Sequence, residues 1–347
     1  MPDLLGFSLE ELTGAVVALG QPGYRAKQIF HWLQARGARS FDEMTELPRA
    51  LRECLREHYQ LAPCEMADKR VSPDGTVKFL FRLGDGETVE SVWMRYSYGN
   101  TICVSCQAGC RMGCAFCASG LHGLRRNLSA GEILAQCHAV RREMGQPLSH
   151  IVLMGMGEPL DNYENVLRFL RLASCPEGLC IGQRRFSLST CGLVPQIERL
   201  RGENLGLTLS VSLHAPNDVI RSRLMPVNRR WPIAELLAVC KRYAEGSSRR
   251  VSFEYALFRD VNDSAACARE LVQRLRGMLC HVNLIPGNPV PERGFCRSTP
   301  ETVRRFAFLL GKGGVHATVR RSLGCGIDAA CGQLRNSRLG GEHIEFG

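Results

Sequence analysis

Residues 101–117 read Thr-Ile-Cys-Val-Ser-Cys-Gln-Ala-Gly-Cys-Arg-Met-Gly-Cys-Ala-Phe-Cys, and this stretch decides how the rest of the chain is interpreted. Five cysteines fall within residues 103–117, and Cys110, Cys114 and Cys117 have the spacing C-x3-C-x2-C. The run begins with an apolar strand signal over 101–105 and continues as a glycine-containing loop. Cysteines crowded onto one loop after a strand indicate metal or redox chemistry.

Two kinds of metal site fit this loop. Three thiolates leave one iron of a [4Fe–4S] cluster open, and the amino and carboxylate groups of S-adenosylmethionine (SAM) can occupy it. A structural zinc site needs four closed ligands, so Cys103 or Cys106 would have to supply the fourth. The cluster is favoured because the loop follows a strand instead of building a free-standing knuckle, and because an aromatic residue precedes the last cysteine.

Around the loop, short apolar runs alternate with helical segments. Strands are predicted near 101–105, 150–154, 185–190, 207–213, 251–256 and 281–285, and helices begin near 130, 162, 194, 233, 264 and 301. This alternation predicts an α/β fold of right-handed βαβ units, with a parallel sheet closed or partly closed into a barrel. Active-site residues are then expected at the carboxyl ends of the strands.

A smaller unit precedes the barrel. Residues 1–61 are predicted to be a helical accessory domain, with a capping box of Ser8 and Glu11 and further helices over Arg25–Gln34 and Pro48–Tyr59. Residues 62–98 are predicted to contain a β-hairpin, because two alternating runs flank Gly84-Asp85-Gly86. The barrel domain then spans 99–335, and 336–347 form a tail.

Composition and charge narrow the classes of function. Lys and Arg total 44 against 34 Asp and Glu, which favours a polyanionic partner. The arginines recur in pairs: Arg125–Arg126, Arg141–Arg142, Arg184–Arg185, Arg229–Arg230, Arg249–Arg250 and Arg320–Arg321. No apolar run approaches the about 20 residues of a membrane helix, and the amino-terminal stretch does not resemble a signal peptide. A cytoplasmic protein without a membrane partner is expected.

Most of the 17 cysteines have no motif around them. Without an export signal, they do not indicate a secreted disulfide framework. Single cysteines on apolar helix faces behave as small buried hydrophobes, so they are assigned to packing. Examples are Cys54, Cys137, Cys175, Cys240 and Cys267.

The cysteine triplet after the first barrel strand resembles the radical SAM superfamily, whose fold is a partial (β/α)6 barrel. Gly155-Met-Gly-Glu-Pro159 follows the second strand and resembles the motif that contacts the SAM amino group, here through Gly157 and Glu158. Asp328-Ala-Ala-Cys-Gly-Gln-Leu334 resembles the signature of the radical SAM RNA adenine methyltransferases, which are similar to essentially the whole chain. The resemblance implies a [4Fe–4S] cluster on Cys110, Cys114 and Cys117 and two SAM molecules per turnover.

The resemblance also implies roles for individual residues. Cys331 is first methylated by one SAM, and a radical formed from the second SAM then takes a hydrogen atom from that methyl group. The resulting thiomethylene radical adds to adenine, and Cys103 resolves the covalent protein–RNA adduct by forming a disulfide with Cys331. Glu90 is implied to accept a hydrogen bond from the adenine amino group. The remaining positions implied to line the SAM site are Ser189, Ser212, Leu213, His214 and Asn288.

Substrate and regiochemistry remain open between relatives. Gly-Glu-Pro-Leu at 157–160 and Asn-Leu-Ile-Pro-Gly-Asn-Pro at 283–289 favour methylation of adenine C2 over the C8 methylation of antibiotic-resistance enzymes. The implied partners are structured RNA, namely 23S ribosomal RNA, alone or together with transfer RNA, and an electron donor such as flavodoxin or ferredoxin. Two departures are Cys106, where the family commonly has serine, and the additional Cys325. A noncatalytic iron–sulfur RNA-binding factor is the alternative from another class.

Overall fold

The computed structural model describes residues 1–61, 64–288, 290–321 and 323–334, so the predicted tail over 336–347 lies outside the described residues. The strands are β1 (Cys64–Val71), β2 (Val77–Leu83), β3 (Thr88–Tyr96), β4 (Gly99–Cys103), β5 (Gln107–Gly109), β6 (Leu124–Asn127), β7 (His150–Leu153), β8 (Phe186–Thr190), β9 (Thr208–Ser212), β10 (Val251–Leu257), β11 (Cys280–Pro286) and β12 (Ala317–Val319). The α-helices are α1 (Leu9–Ala18), α2 (Tyr24–Phe30), α3 (Arg49–His58), α4 (Ala130–Met144), α5 (Tyr163–Ser174), α6 (Val194–Gly202), α7 (Asp218–Leu224), α8 (Ile233–Ser247), α9 (Ala265–Leu275) and α10 (Pro300–Lys312).

One large sheet organises the fold. Its strand order is β1-β2-β3-β4-β7-β8-β9-β10-β11-β12, and neighbouring strands are parallel from β4 onward. Helices lie in the connections between these parallel strands, as right-handed crossovers require. The predicted α/β fold with a partial barrel is confirmed, and each of the six predicted barrel strands has an observed counterpart.

Two strands of this sheet were not predicted. β1 carries charged residues along an edge and has no clear apolar alternation, yet it pairs with β2 and turns the predicted hairpin into three antiparallel strands. β12 is only three residues long and adds a parallel edge beside β11. The antiparallel strands are continuous with the barrel, because β3 pairs with β4 and sets Val92 opposite Cys103.

The amino-terminal helices pack on the outside of the barrel. The capping box is confirmed, since Glu11 N donates to Ser8 Oγ at 3.1 Å and Ser8 N donates to Glu11 Oε2 at 2.8 Å. The predicted second helix is α2, which continues as a π-helix over His31–Arg36. Buried side chains of these helices and of the barrel form one continuous hydrophobic core. Because the core is shared, it does not mark where one domain ends and the next begins. The domain boundaries at residues 61 and 98 therefore stay predictions.

The cysteines assigned to packing divide into two groups. Cys137, Cys240 and Cys267 are buried as predicted, whereas Cys54 and Cys175 are only half-buried. Every cysteine whose side chain the structure describes is a free thiol.

His138 on α4 is the clearest pH-sensitive group outside the barrel interior. It is buried against Gly37, and neither ring nitrogen has a hydrogen-bond partner among the described residues. Burial, with the nearby charges of Arg141 and Arg142, lowers the pKa of His138 from 6.5 to about 3. The unfolded chain therefore binds a proton below pH 6.5 that the folded protein does not bind, and stability is lost as the pH falls towards 3.

Replacing this imidazole should remove that loss. Between pH 7 and pH 5, the wild-type free energy of unfolding should fall by about 2 kcal/mol more than that of His138→Leu, at about 1.4 kcal/mol per pH unit below 6.5. Urea unfolding of both proteins at the two pH values measures the difference. Parallel losses in the two proteins would mean that His138 is protonated in the folded state.

Candidate active site

The loop of the C-x3-C-x2-C motif is held by its neighbours in the fold. Ala115 N donates to Leu224 O at the end of α7, and Ala118 N donates to Gly332 O beside Cys331, both at 2.8 Å. These two bonds come from segments that are distant in sequence. They fix the cysteine loop relative to both the barrel and the segment that carries Cys331.

The three motif thiols are half-buried and line one cavity of about 150 Å³ at the carboxyl ends of the parallel strands. Burial is the main cause that raises the pKa of Cys110 to about 12 and the pKa values of Cys114 and Cys117 above the usual range. A cluster would displace these protons, because metals bind thiolates. Three soft donors around a cavity fit a [4Fe–4S] cluster with one open iron.

Most predicted SAM-site residues line the same cavity. They come from the ends of successive strands, as a barrel arranges its active residues: Gly157 and Glu158 after β7, Ser189 in β8, Ser212 at the end of β9, His214 just beyond it, and Asn288 after β11. Cys331 is also part of the lining. Leu213 is buried outside it, and its carbonyl accepts a hydrogen bond from Arg221 Nε at 3.2 Å.

Glu158 presents a buried carboxylate to the cavity. Its oxygens accept hydrogen bonds from Leu160 N at 3.0 Å and from Cys191 N at 2.7 Å. Burial raises the pKa of Glu158, so a cationic amino group in the cavity would favour its ionised form. Gly157 has a φ of 104°, and a Cβ atom there would lie 2.6 Å from Gln107 Cβ. Only glycine permits this loop to approach β5 so closely.

Asn288 and His214 both line the cavity, but they make different contacts there. Asn288 Nδ2 donates to Cys331 O at 3.0 Å, whereas Oδ1 is buried without a hydrogen-bond partner in the described part of the chain. Such an acceptor is unfavourable unless a ligand donates to it. His214 Nδ1 accepts from Ala256 N at 2.9 Å, and burial lowers its pKa to about 3. Its neutral ring packs edge-to-face on Phe116 of the cysteine loop.

A second cavity adjoins the first and contains the other implied catalytic thiol. Cys103, at the end of β4, lines it together with side chains of β3 and of residues 323–334. The linings of the two cavities have five residues in common: Met154, Ile285, Asn288, Arg320 and Cys331. Burial raises the pKa of Cys103 to about 12, and the proximity of Cys331 adds to that rise. Cys331 therefore lies between the cysteine loop and Cys103.

Glu90 is not in the lining of either cavity. It is buried on β3, two residues before Val92 of the second cavity, and its carboxylate pairs with Lys78 Nζ of β2 at 2.9 Å. Ser105 Oγ donates to Glu90 O at 2.6 Å and ties the residue to the segment that follows β4. The structure therefore places Glu90 beside the second cavity, in a buried ion pair.

Several of the paired arginines contact other groups of the protein and are not free to bind an external polyanion. Arg141 and Arg142 donate to carbonyls of the amino-terminal helices at 2.6 and 2.8 Å. Arg126 pairs with Glu132 at 2.7 Å. Arg320 lines both cavities, whereas Arg321 is exposed. The phosphate contacts predicted from these pairs therefore apply at most to their exposed members.

Three cations of the site were missed by sequence reasoning: Lys78, Arg221 and Arg320. The proximity of the Cys331 thiol, followed by that of Glu254, raises the pKa of Arg320. Nothing in the local pattern distinguishes these residues from surface lysines and arginines. Their burial depends on segments far away in the sequence.

Arg221 supports the strand ends that line the first cavity. It is fully buried in α7, and its guanidinium donates to four neutral oxygens among the described residues. The acceptors are Cys191 O at 2.7 Å, Asn228 Oδ1 at 3.0 Å, Ser212 O at 3.1 Å and Leu213 O at 3.2 Å.

Arg221→Met is expected to lower the free energy of unfolding by about 3 kcal/mol or more, because several buried acceptors lose their donors together. Urea unfolding measures this loss. Arg223→Met, at an exposed position on the same helix, is the matched control. Equal stability of the two variants would contradict the structural role assigned to Arg221.

Comparisons with known proteins agree with this arrangement. The Radical SAM superfamily matches residues 104–269, and the N-terminal domain of ribosomal RNA large subunit methyltransferases matches residues 2–61. Two relatives are described as probable dual-specificity RNA methyltransferase RlmN. The relative from Desulforamulus reducens is 51% identical, and the match covers 96% of this chain and 95% of the relative. The relative from Pelotomaculum thermopropionicum is 53% identical, and the match covers 96% of this chain and 90% of the relative.

A solved structure has the same fold over nearly its full length. A radical SAM methyltransferase from Sphaerobacter thermophilus superposes with a TM-score of 0.94 at 50% identity, covering 96% of this chain and 99% of that one. Among the described residues, no helix has both the length and the apolar character to cross a membrane.

Proposed function

The chain belongs to the RlmN family of radical SAM RNA methyltransferases, and we propose that it methylates C2 of an adenosine in 23S ribosomal RNA and in transfer RNA. Its family membership establishes the reaction class and the two cofactors, a [4Fe–4S] cluster and SAM. The choice of C2 rests on the sequences at 157–160 and 283–289, and the choice of two RNA substrates is supported by the dual-specificity description of the relatives.

When bound, the cluster and SAM supply a methyl group and a carbon radical able to remove a hydrogen atom. We assign the cluster to Cys110, Cys114 and Cys117. Glu158 would bind the SAM amino group, because it offers a buried carboxylate to the cavity. Asn288 Oδ1 would accept a second hydrogen bond from the same ligand, which would satisfy this otherwise unpaired oxygen.

Cys331 is the proposed methyl carrier, and the observation that supports it most is its place in the linings of both cavities. In the first cavity, Cys331 can accept the methyl group beside the cysteine loop. In the second cavity, it shares the lining with Cys103. A carrier is needed because the C2 carbon of adenine is electrophilic and does not attack a SAM methyl group. Cys103 then forms a disulfide with Cys331 and releases the methylated base.

The remaining assignments concern partners and location. We propose that residues 1–61 contact the RNA, in line with their match to a ribosomal RNA methyltransferase domain and with the surplus of ten positive charges. The reductant is proposed to be a one-electron donor such as flavodoxin or ferredoxin. A cytoplasmic location follows from these partners.

Mass spectrometry of nucleosides tests the proposal. The protein is reconstituted anaerobically with iron and sulfide and incubated with SAM, a reductant and either ribosomal or transfer RNA. 2-Methyladenosine in both RNAs is the expected product. 8-Methyladenosine would retain the chemistry and overturn the C2 assignment, while SAM cleavage without RNA methylation would overturn the proposed substrate.

A further inference from the structure

The Lys78–Glu90 ion pair lies in a position that the proposed function leaves unexplained. Both side chains are almost fully buried, with exposed fractions of 7% and 1%. The register of the sheet sets Lys78 opposite Val92, and Val92 opposite Cys103. Lys78 and Glu90 are therefore diagonal neighbours on the sheet face that also carries Cys103.

Lys78 makes a second contact that leads to the methyl carrier. Its Nζ atom donates to Asp328 O at 3.1 Å, three residues before Cys331. Asp328 has a φ of 50°, a left-handed conformation that costs an L-residue energy and persists only when its surroundings stabilise it. One ammonium group thus joins Glu90 to the loop that carries Cys331.

A buried carboxylate without a cation would take up a proton, because desolvation disfavours its charged form. Removal of one partner from a buried ion pair is also strongly destabilising. The charged groups in contact with Lys78 in the described part of the chain are Glu90 and the residue Asp328, which offers its carbonyl oxygen. Lys78 is therefore well placed to determine whether Glu90 is a carboxylate.

We propose that Lys78 is a positioning residue of the reaction: it keeps Glu90 ionised as a hydrogen-bond acceptor and fixes the Cys331 loop beside it. This inference rests on the proposed function, in which Cys331 carries the methyl group, and on the role that the resemblance implies for Glu90, as acceptor of a hydrogen bond from the adenine amino group. A protonated Glu90 would present a donor where the amino group requires an acceptor. The base would then bind poorly next to the methylated cysteine.

The first test measures RNA methylation in single turnover as a function of pH. Lys78→Met should lower the rate at pH 7 by about tenfold to a hundredfold and move the acidic limb of the profile to higher pH, since loss of the adjacent ammonium group raises the pKa of the Glu90 carboxyl. Lys78→Arg should restore most of the rate, because it keeps the charge. Methylation of Cys331 itself, measured from the protein mass, should change much less.

Two control variants separate charge from loop anchoring. Asp74 accepts from Gly324 N at 2.9 Å and tethers the same loop without contacting Glu90. Asp74→Ala should therefore leave the position of the acidic limb unchanged. Arg82→Met removes an exposed cation from the same strand and should behave as the wild type. A Lys78→Met profile that coincides with the Asp74→Ala profile would reduce Lys78 to a loop anchor and overturn the proposal.

A second measurement does not depend on activity. Lys78→Met should unfold at a lower temperature than the double variant Lys78→Met/Glu90→Gln, because the double variant removes both charges of the buried pair instead of one. Equal unfolding temperatures would show that the two charges are not coupled, which would also overturn the proposal. If coupling is found but the wild type makes no 2-methyladenosine, the ion pair stands and the proposed function fails.

Discussion

Cys114→Ala is expected to abolish binding of the [4Fe–4S] cluster, and with it both SAM cleavage and RNA methylation. Only three motif thiols line the cavity as proposed cluster ligands, so the loss of one leaves two irons without protein ligands. The backbone bonds of the loop do not involve this side chain, so the fold should persist. Iron and sulfide analysis and visible absorbance measure the cluster, circular dichroism measures the fold, and product analysis measures SAM cleavage and RNA methylation.

Two neighbouring cysteines are controls for this prediction. Cys106 is buried with its thiol against Met156 O, and Cys191 lines the same cavity as the motif thiols. Cys106→Ala and Cys191→Ala should each retain the cluster. Loss of iron in Cys106→Ala would instead indicate a site with four cysteine ligands, of the kind that structural zinc requires.

The part of the site that could be predicted from sequence is the part set by local patterns. The spacing of Cys110, Cys114 and Cys117 is visible in the chain, and carboxyl ends of parallel strands meet at one edge of any such barrel. Glu158 and Asn288 are predicted from the family resemblance, and both follow the ends of strands, where that rule places active residues. Both line the cavity that contains the three motif thiols.

Lys78 shows why the remainder could not be predicted. In an isolated hairpin, Lys78 and Arg82 would lie on the solvent-facing side of β2, and Arg82 is indeed exposed. Residues 323–334 cover the same face at Lys78, through a contact between residues 250 positions apart. No local periodicity encodes such coverage. A buried lysine and a surface lysine therefore have the same sequence signature.

Arg221 and Arg320 illustrate the same limit for charge. Net charge and arginine pairs predict a polyanionic partner, but they do not indicate which guanidinium groups face solvent. Arg221 donates to carbonyls at two strand ends, and Arg320 lies beside Cys331 in both cavities. These roles depend on tertiary contacts, so the charge count overestimates the number of arginines available to RNA.

Replacing Cys331 and replacing Cys103, the two thiols of the second cavity, should stop the reaction at different steps. Cys331→Ala should abolish RNA methylation, because no atom remains to receive and carry the methyl group. Cys103→Ala should still methylate Cys331 and attack the RNA, but it should then stop as a covalent protein–RNA adduct. Denaturing gels with and without ribonuclease detect the adduct, and intact protein mass detects the methyl group.

The contrast depends on the position of Cys331 between the two cavities. The cysteine loop, Glu158 and Asn288 remain in Cys331→Ala, so SAM should still be cleaved without coupling to RNA. Cys180→Ala removes an exposed thiol elsewhere and should turn over normally. Normal turnover of Cys103→Ala would mean that another thiol resolves the adduct. An adduct in Cys331→Ala would refute the proposed carrier, because the RNA would then be bound through a different residue.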